Sequence, residues 1–174
     1  QARKIKKIIT IDPHAYNAFI RQYKQMGAKL EVYHYTQIAA ERMKSLVPAM
    51  KKLSATVTYH DPCYLGRHNG IYDAPRDILS MLPGINLREM SANRANALCC
   101  GGGGGNFFSD ILGGGKDSPA RIRILQAQEA EADIIAVACP QCAKMLDDAV
   151  KAAGREDLQI ADIAELVVEN MKME

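Results

Sequence analysis

Apolar positions along the chain fall into short runs separated by longer stretches of helical period, so strand and helix are predicted in turn. Ile5 to Ile11 reads as a strand, Pro13 to Met26 as a helix closed by Gly27, and Lys29 to Tyr35 as a second strand. Thr36 to Met50 reads as a second helix, with Ile38, Ala39, Met43, Leu46 and Val47 near one face. Ala55 to His60 is a third strand and Ala74 to Met81 a short helix, with Pro75 suited to its first turn and Pro83-Gly84 beyond its end. Ile85 to Met90 is a fourth strand, followed by a long glycine-rich passage. Ala120 to Ala132 is then a helix, Asp133 to Ala138 a strand, Pro140 to Ala153 a helix before Gly154, Leu158 to Ile160 a short strand, and Ile163 to Lys172 the last helix.

The run Ile134, Ile135, Ala136, Val137, Ala138 is apolar at every position, as in a strand covered on both faces. With the alternation of elements, it predicts a three-layer, Rossmann-like α/β domain with a mostly parallel sheet. Such folds place reactive groups beyond the carboxyl ends of their strands. There the chain repeats itself weakly. Asp12-Pro13-His14-Ala15, Asp61-Pro62-Cys63 and Cys139-Pro140-Gln141-Cys142 each follow an apolar strand, with proline opening the next segment. Ordinary strand-to-helix caps explain the first copy equally well. Because the second and third copies carry cysteine, the chemistry is expected from residue 61 onward.

Composition narrows the function. The chain has 174 residues, 48% hydrophobic and 24% charged, with a formal charge of +2, which describes a folded globular protein. Near-neutral charge, three Phe and no Trp give neither a basic footprint nor a stacking platform for nucleic acid. No apolar run is long enough to span a bilayer, so no transmembrane segment is expected. The opening QARKIKK has no Met and no apolar signal core, and reads as a fragment or processed product.

The five cysteines are spaced C-x35-C-C-x38-C-x-x-C, at Cys63, Cys99, Cys100, Cys139 and Cys142. An odd number in tight pairs argues against a disulfide scaffold and for metal or redox chemistry in a reducing compartment, hence a cytoplasmic location. Cys139 and Cys142 are one helical turn apart and suit one metal site. The adjacent Cys99 and Cys100 tend to point apart, which favours a polynuclear iron–sulfur cluster over a simple zinc ion; zinc remains the competing reading. Gly101 to Gly105 bring backbone amides close to an anionic centre, and Gly101, Gly102 and Gly103 are candidate cofactor-binding positions. Neither this run nor the one at Gly113 to Lys116 matches a phosphate loop or a dinucleotide fingerprint.

The segments HDPCYLGRHNG (60–70), LCCGGGGG (98–105) and ACPQC (138–142) resemble the cysteine-rich CCG domain of the heterodisulfide reductase catalytic subunit family. That domain also occurs in iron–sulfur subunits of glycolate and lactate oxidation systems. IITIDPHAYNAF (8–19) and EVYHYT (31–36) resemble the end of a preceding CCG module and the bridge between two modules. The resemblance implies two parts, 1–54 as the end of a preceding module and bridge, and 55–174 as the cluster-binding module. It implies that Cys63, Cys99, Cys100, Cys139 and Cys142 ligate one 4Fe–4S cluster of non-cubane form. Asp12 and Ala15 stand where a preceding module would carry its C-x-x-C, so that module is expected to lack a complete cluster of its own.

The implied function is an iron–sulfur redox domain of a heterodisulfide reductase-like oxidoreductase, used for electron transfer and for thiol/disulfide reduction. The implied partners are a ferredoxin-like cubane-cluster domain or a flavoprotein subunit, together with a thiol or disulfide small molecule. A membrane complex would be reached through those partners. Two alternatives stand beside it: a pure relay in a respiratory or 2-hydroxy-acid dehydrogenase complex, and a non-enzymatic zinc-stabilised interaction domain. Arg67 and His68 are the candidate catalytic groups, placed to balance the charge of the centre or orient a thiol, against an ordinary loop role. His60 reads as a structural capping partner. Arg121 and Arg123 read as a basic helix near the glycines, equally a solvated face, and Phe107 and Phe108 as a shield or interface.

Overall fold

The structure is a computed structural model that describes residues 5–109 and 115–172. Its main sheet is built from β3 (Ala55–Tyr59), β4 (Ile85–Leu87), β5 (Ile134–Val137) and β6 (Gln159–Asp162), in the order β4-β3-β5-β6 and parallel throughout. The chain runs outward from β3 to β4, then restarts on the other side of β3 with β5. The order therefore reverses between β3 and β5, and the crevice at their carboxyl ends is where open parallel sheets take ligands.

The remaining strands, β1 (Lys7–Thr10) and β2 (Glu31–His34), pair in parallel with each other in a separate two-stranded sheet. The expected strand from Ile5 to Ile11 shortens to β1 because pairing with β2 extends only from Lys7 to Thr10, and Ile5 and Ile11 face solvent. The first helix, α1 (Pro13–Ala18), widens into π-helical turns over Phe19–Tyr23, where a plain helix to Met26 is expected from sequence.

Helices cover both faces of the main sheet. Alternate residues of β5 show why. Ile134 and Ala136 join Val57, Tyr59, Ile78, Leu79 and Leu166 on one side, with α2 (Tyr35–Leu46), α3 (Asp73–Met81) and α7 (Ile163–Glu169). Ile135 and Val137 join Ile124, Ala127, Leu146 and Val150 on the other, with α5 (Pro119–Glu129) and α6 (Pro140–Ala152). The three-layer reading of the sequence thus matches the structure, the period of two in the strand dividing one apolar run between two cores.

Local chemistry starts each helix where the pattern places it. Pro119 and Pro140 occupy the first turns of α5 and α6, where no amide bond is lost. The Ser118 hydroxyl accepts from the Arg121 amide at 3.3 Å, and Asp162 and Glu165 form a reciprocal capping box at the start of α7. Between β4 and α5, the described residues include a 3-10 turn at Arg94–Asn96 and, within the glycine-rich passage, the short helix α4 (Asn106–Ser109). Among the described residues, no helix is long and apolar enough to cross a membrane.

Candidate metal centre

Cys63 follows β3, and Cys139 follows β5 at the amino terminus of α6, with Cys142 one turn on. These two strand ends flank the reversal point of the sheet, and the segment carrying Cys99 and Cys100 comes in between them. All five cysteine side chains line one small cavity of about 30 Å³, together with Gly103, Gln141, Tyr64, Pro62, Pro13 and His14. The sulfurs adjoin in a row. Cys63 contacts Cys99, Cys99 contacts Cys100, Cys100 contacts Cys142, and Cys142 contacts Cys139. All five are free thiols, with Cys100, Cys139 and Cys142 buried and Cys63 and Cys99 half-buried.

The linker that delivers Cys99 and Cys100 is tied down at several points. The Arg94 amide donates to Asp61 Oδ2 at 2.7 Å, Arg123 Nη1 donates to the Ala92 carbonyl at 2.6 Å, and Arg67 Nη2 donates to the Ala97 carbonyl. Asp61 in turn is held by Arg76 of α3. Beyond the paired cysteines, Gly101 takes a φ of +84°, a left-handed conformation that side chains disfavour. Its amide donates to Cys99 Sγ at 3.3 Å. Asn106 Nδ2 holds the Gly101 carbonyl at 3.0 Å, and Gln141 Nε2 holds the Gly102 carbonyl at 2.6 Å, fastening the loop to the start of α6.

Electrostatics split the row into thiolate and thiol. Cys99 is strongly depressed, first by Cys100 and Cys63 donating to it and then by the Gly101 amide. Cys139 falls to about 5, drawn down by Cys142 against its own burial, with help from His14 and the first amides of α6. Cys142 rises because Cys100 and Cys139 crowd it, and Cys63 rises because it donates to Cys99. One pocket therefore already favours two anionic sulfurs beside three thiols, and backbone N–H groups support the anions. A soft cation or cluster, which displaces the remaining protons, fits this donor set; five sulfurs exceed the four ligands of a structural zinc ion. Gly102 has a separate reason to be glycine. A Cβ there would stand 2.9 Å from Met145 Cγ and 3.2 Å from Gln141 Cγ. Gly102→Ala is expected to cost about 1–3 kcal/mol in urea unfolding, with weakened metal retention, because the loop must leave Gln141.

The structure brings together every cysteine of the candidate set, with the Gly101 and Gly102 amides against the Cys99 and Cys100 sulfurs and Gly103 in the lining. It does not bring Arg67 and His68 into that lining. Both are exposed; Arg67 holds the Ala97 carbonyl and His68 stacks on Tyr64 at 4.5 Å. Phe107 lies outside the small cavity and lines a larger one that borders Cys100, and Phe108 is 89% exposed. Part of the second glycine run, Gly113 and Gly114, lies outside the described residues.

Expecting all the chemistry from residue 61 onward omits Pro13 and His14. His14 Nδ1 bonds Asp12 Oδ1 at 3.0 Å, its ring meets Tyr64 at 4.4 Å, and its side chain contacts Cys139. The repeat of Asp-Pro after β1 and β3 was the sequence signal for it. His60 is likewise inside the site. Burial first, then the Arg123 charge, lowers it to about 3, and one of its ring nitrogens lies within 4.8 Å of the Cys100 and Cys142 sulfurs.

Comparison with known proteins agrees with this geometry. A family model described as a cysteine-rich domain, CCG, matches residues 57–147, which include every cysteine. The probable iron-sulfur-binding oxidoreductase FadF of Bacillus subtilis is 41% identical over 169 residues, covering 96% of this chain and 24% of that protein. EtfAB:quinone oxidoreductase of Syntrophomonas wolfei is 37% identical over 175 residues, covering 97% and 24%. One of the subunits of the dihydromethanophenazine:CoB–CoM heterodisulfide reductase of Methanosarcina barkeri is 39% identical over 143 residues, covering 80% and 34%. The chain thus spans between a quarter and a third of the length of these relatives. With its five cysteines gathered at the reversal point of a parallel sheet, the chain belongs to the CCG cysteine-rich domain family.

Proposed function

We propose that this chain is an iron–sulfur electron-transfer module of a larger oxidoreductase, with Cys63, Cys99, Cys100, Cys139 and Cys142 as ligands of a 4Fe–4S cluster of non-cubane form. One observation carries the reading: five thiols from three separated segments line a single cavity beside a glycine loop whose amides face them. A cluster held there supplies one-electron transfer. The chain's own part is to converge the thiolates, to meet their charge with the Gly101 and Gly102 amides and the start of α6, and to bury Cys100, Cys139 and Cys142 away from water.

Electrons come from a cubane-cluster ferredoxin-like domain or a flavoprotein partner; the names of two relatives, an iron-sulfur-binding oxidoreductase and an EtfAB:quinone oxidoreductase, support redox work within a larger protein. Residues 1–54 are the end of a preceding module, with Asp12 and Ala15 where its C-x-x-C would stand and His14, between them, in the cavity wall. A second reading, reduction of a small disulfide to two thiols by two electrons and two protons, draws on a larger cavity of about 480 Å³. That cavity borders Cys100 and Gly101 and carries Lys116 and Arg121 among apolar walls.

Anaerobic iron and acid-labile sulfide analysis is expected to return about four of each per chain. Zinc without sulfide would overturn the reading. Titration with small thiols under electron paramagnetic resonance then separates the two versions. A changed signal supports direct reduction of a disulfide, and an unchanged signal from an intact cluster supports relay.

A further inference from the structure

Behind Cys100 and Cys142, His60 and Arg123 are both fully buried. The roles of their nitrogens follow from what they touch. Arg123 Nε–H donates to His60 Nδ1 at 3.2 Å. A guanidinium has donors and no acceptor, so Nδ1 must be the accepting nitrogen and the ring proton must sit on Nε2. Arg123 Nη1 is satisfied by the Ala92 carbonyl and by Gln126 Oε1, each at 2.6 Å. His60 Nε2 and Arg123 Nη2 have no hydrogen-bond partner, and Arg123 has no carboxylate within ion-pair distance, among the described residues.

A buried donor without an acceptor is costly, more so on a cation, and neighbouring orphans on one pair of side chains imply an acceptor-rich body beside them. The sulfur row is such a body, with a His60 ring nitrogen within 4.8 Å of both Cys100 Sγ and Cys142 Sγ. The main chain holds the ring in place, since the His60 amide donates to the Ala136 carbonyl at 2.9 Å and continues the β3–β5 ladder by one rung.

We propose that Arg123 and His60 act as a positioning pair for the centre, in which Arg123 fixes the His60 tautomer so that Nε2–H is a permanent donor to the sulfur set around Cys100 and Cys142. The inference rests on the proposed iron–sulfur reading. A donor to anionic sulfur favours the more negative, reduced state, so the pair raises the reduction potential. Arg123 adds its buried positive charge in the same direction.

The test uses the intact protein, purified anaerobically, with iron and sulfide quantified and the centre titrated under electron paramagnetic resonance. His60→Phe removes the donor and keeps a ring; His60→Gln keeps an N–H. At a fixed solution potential, His60→Phe is expected to move the reduced-to-oxidised ratio about tenfold toward oxidised, about 59 mV for one electron, with His60→Gln recovering most of it. A His60→Phe potential equal to wild type at full iron content overturns the inference alone; wild-type protein without iron and sulfide overturns the underlying reading with it. Should His60→Phe lose its iron, pulsed resonance on protein carrying 15N-histidine decides. A weak nitrogen coupling present in wild type and missing in His60→Gln supports the pair, and identical couplings overturn it.

Discussion

Cys142→Ser is expected to lower metal retention by more than about 100-fold, measured as iron per chain after anaerobic reconstitution and gel filtration. Cys142 stands inside the row, 2% exposed, in contact with both Cys100 and Cys139. A serine there has a hard, shorter oxygen that stays protonated near neutral pH. It cannot reproduce a thiolate ligand, and its rigid place in the first turn of α6 prevents it from moving to compensate. The same change at Cys63 acts on the end of the row, in a half-exposed loop, where only Cys99 and Cys100 are close. Cys63→Ser is therefore expected to retain more iron than Cys142→Ser. Equal retention in the two variants would mean that burial and position in the row do not decide how much each sulfur contributes.

The grouping of the cysteines was legible because spacing along the chain and the position of strand ends carry the same information. An apolar strand with a period of two ends where polar chemistry begins. In a parallel sheet those ends share one edge, so Cys63 and Cys139 line the same cavity, at the two ends of the row, although 76 residues apart. The register Val57 to Ile134 and Tyr59 to Ala136 is all that is needed to bring them together. The separation of β1 and β2 into their own sheet was not legible, because a short apolar run does not announce which strand it will pair with.

The surroundings of the sulfurs were less legible for a different reason. Arg121 and Arg123 are both candidates for a solvated face on a helix whose other positions mix charge and apolar residues. Arg123 is fully buried, where it meets His60 and the Ala92 carbonyl, while Arg121 is half-buried. Two residues of helical rotation separate a buried cation from one that lines the larger cavity, and composition alone does not set that rotation. Arg67 and His68 show the converse. Closeness in sequence to Cys63 suggested chemistry, yet the turn after Cys63 carries both outward, and Arg67 acts on the linker through Ala97.

Asp61→Ala is expected to cost about 3–5 kcal/mol in urea unfolding, the range for stranding one member of a buried ion pair. Arg76 and Asp61 have side chains 7% and 2% exposed, joined by Nη1 to Oδ1 at 2.8 Å and Nη2 to Oδ2 at 2.9 Å. Glu89 also binds Arg76, at 2.6 and 2.9 Å, so the guanidinium keeps one partner and the loss should fall toward the lower end of the range. Asp61 has a second duty, accepting the Arg94 amide where that residue adopts a φ of +52°, which no small side chain at 61 can replace. Asp61→Asn, which keeps an acceptor, should lose less than the alanine variant. The double change Asp61→Leu with Arg76→Met should recover part of the stability lost in Asp61→Ala, since no guanidinium is then left stranded at position 76. Because the Arg94 segment leads into Cys99 and Asp61 lies two residues before Cys63, iron retention should fall with Asp61→Ala and stay low in the double variant. Recovery of iron together with stability would show instead that the ion pair serves the core and leaves the approach to the sulfurs unaffected.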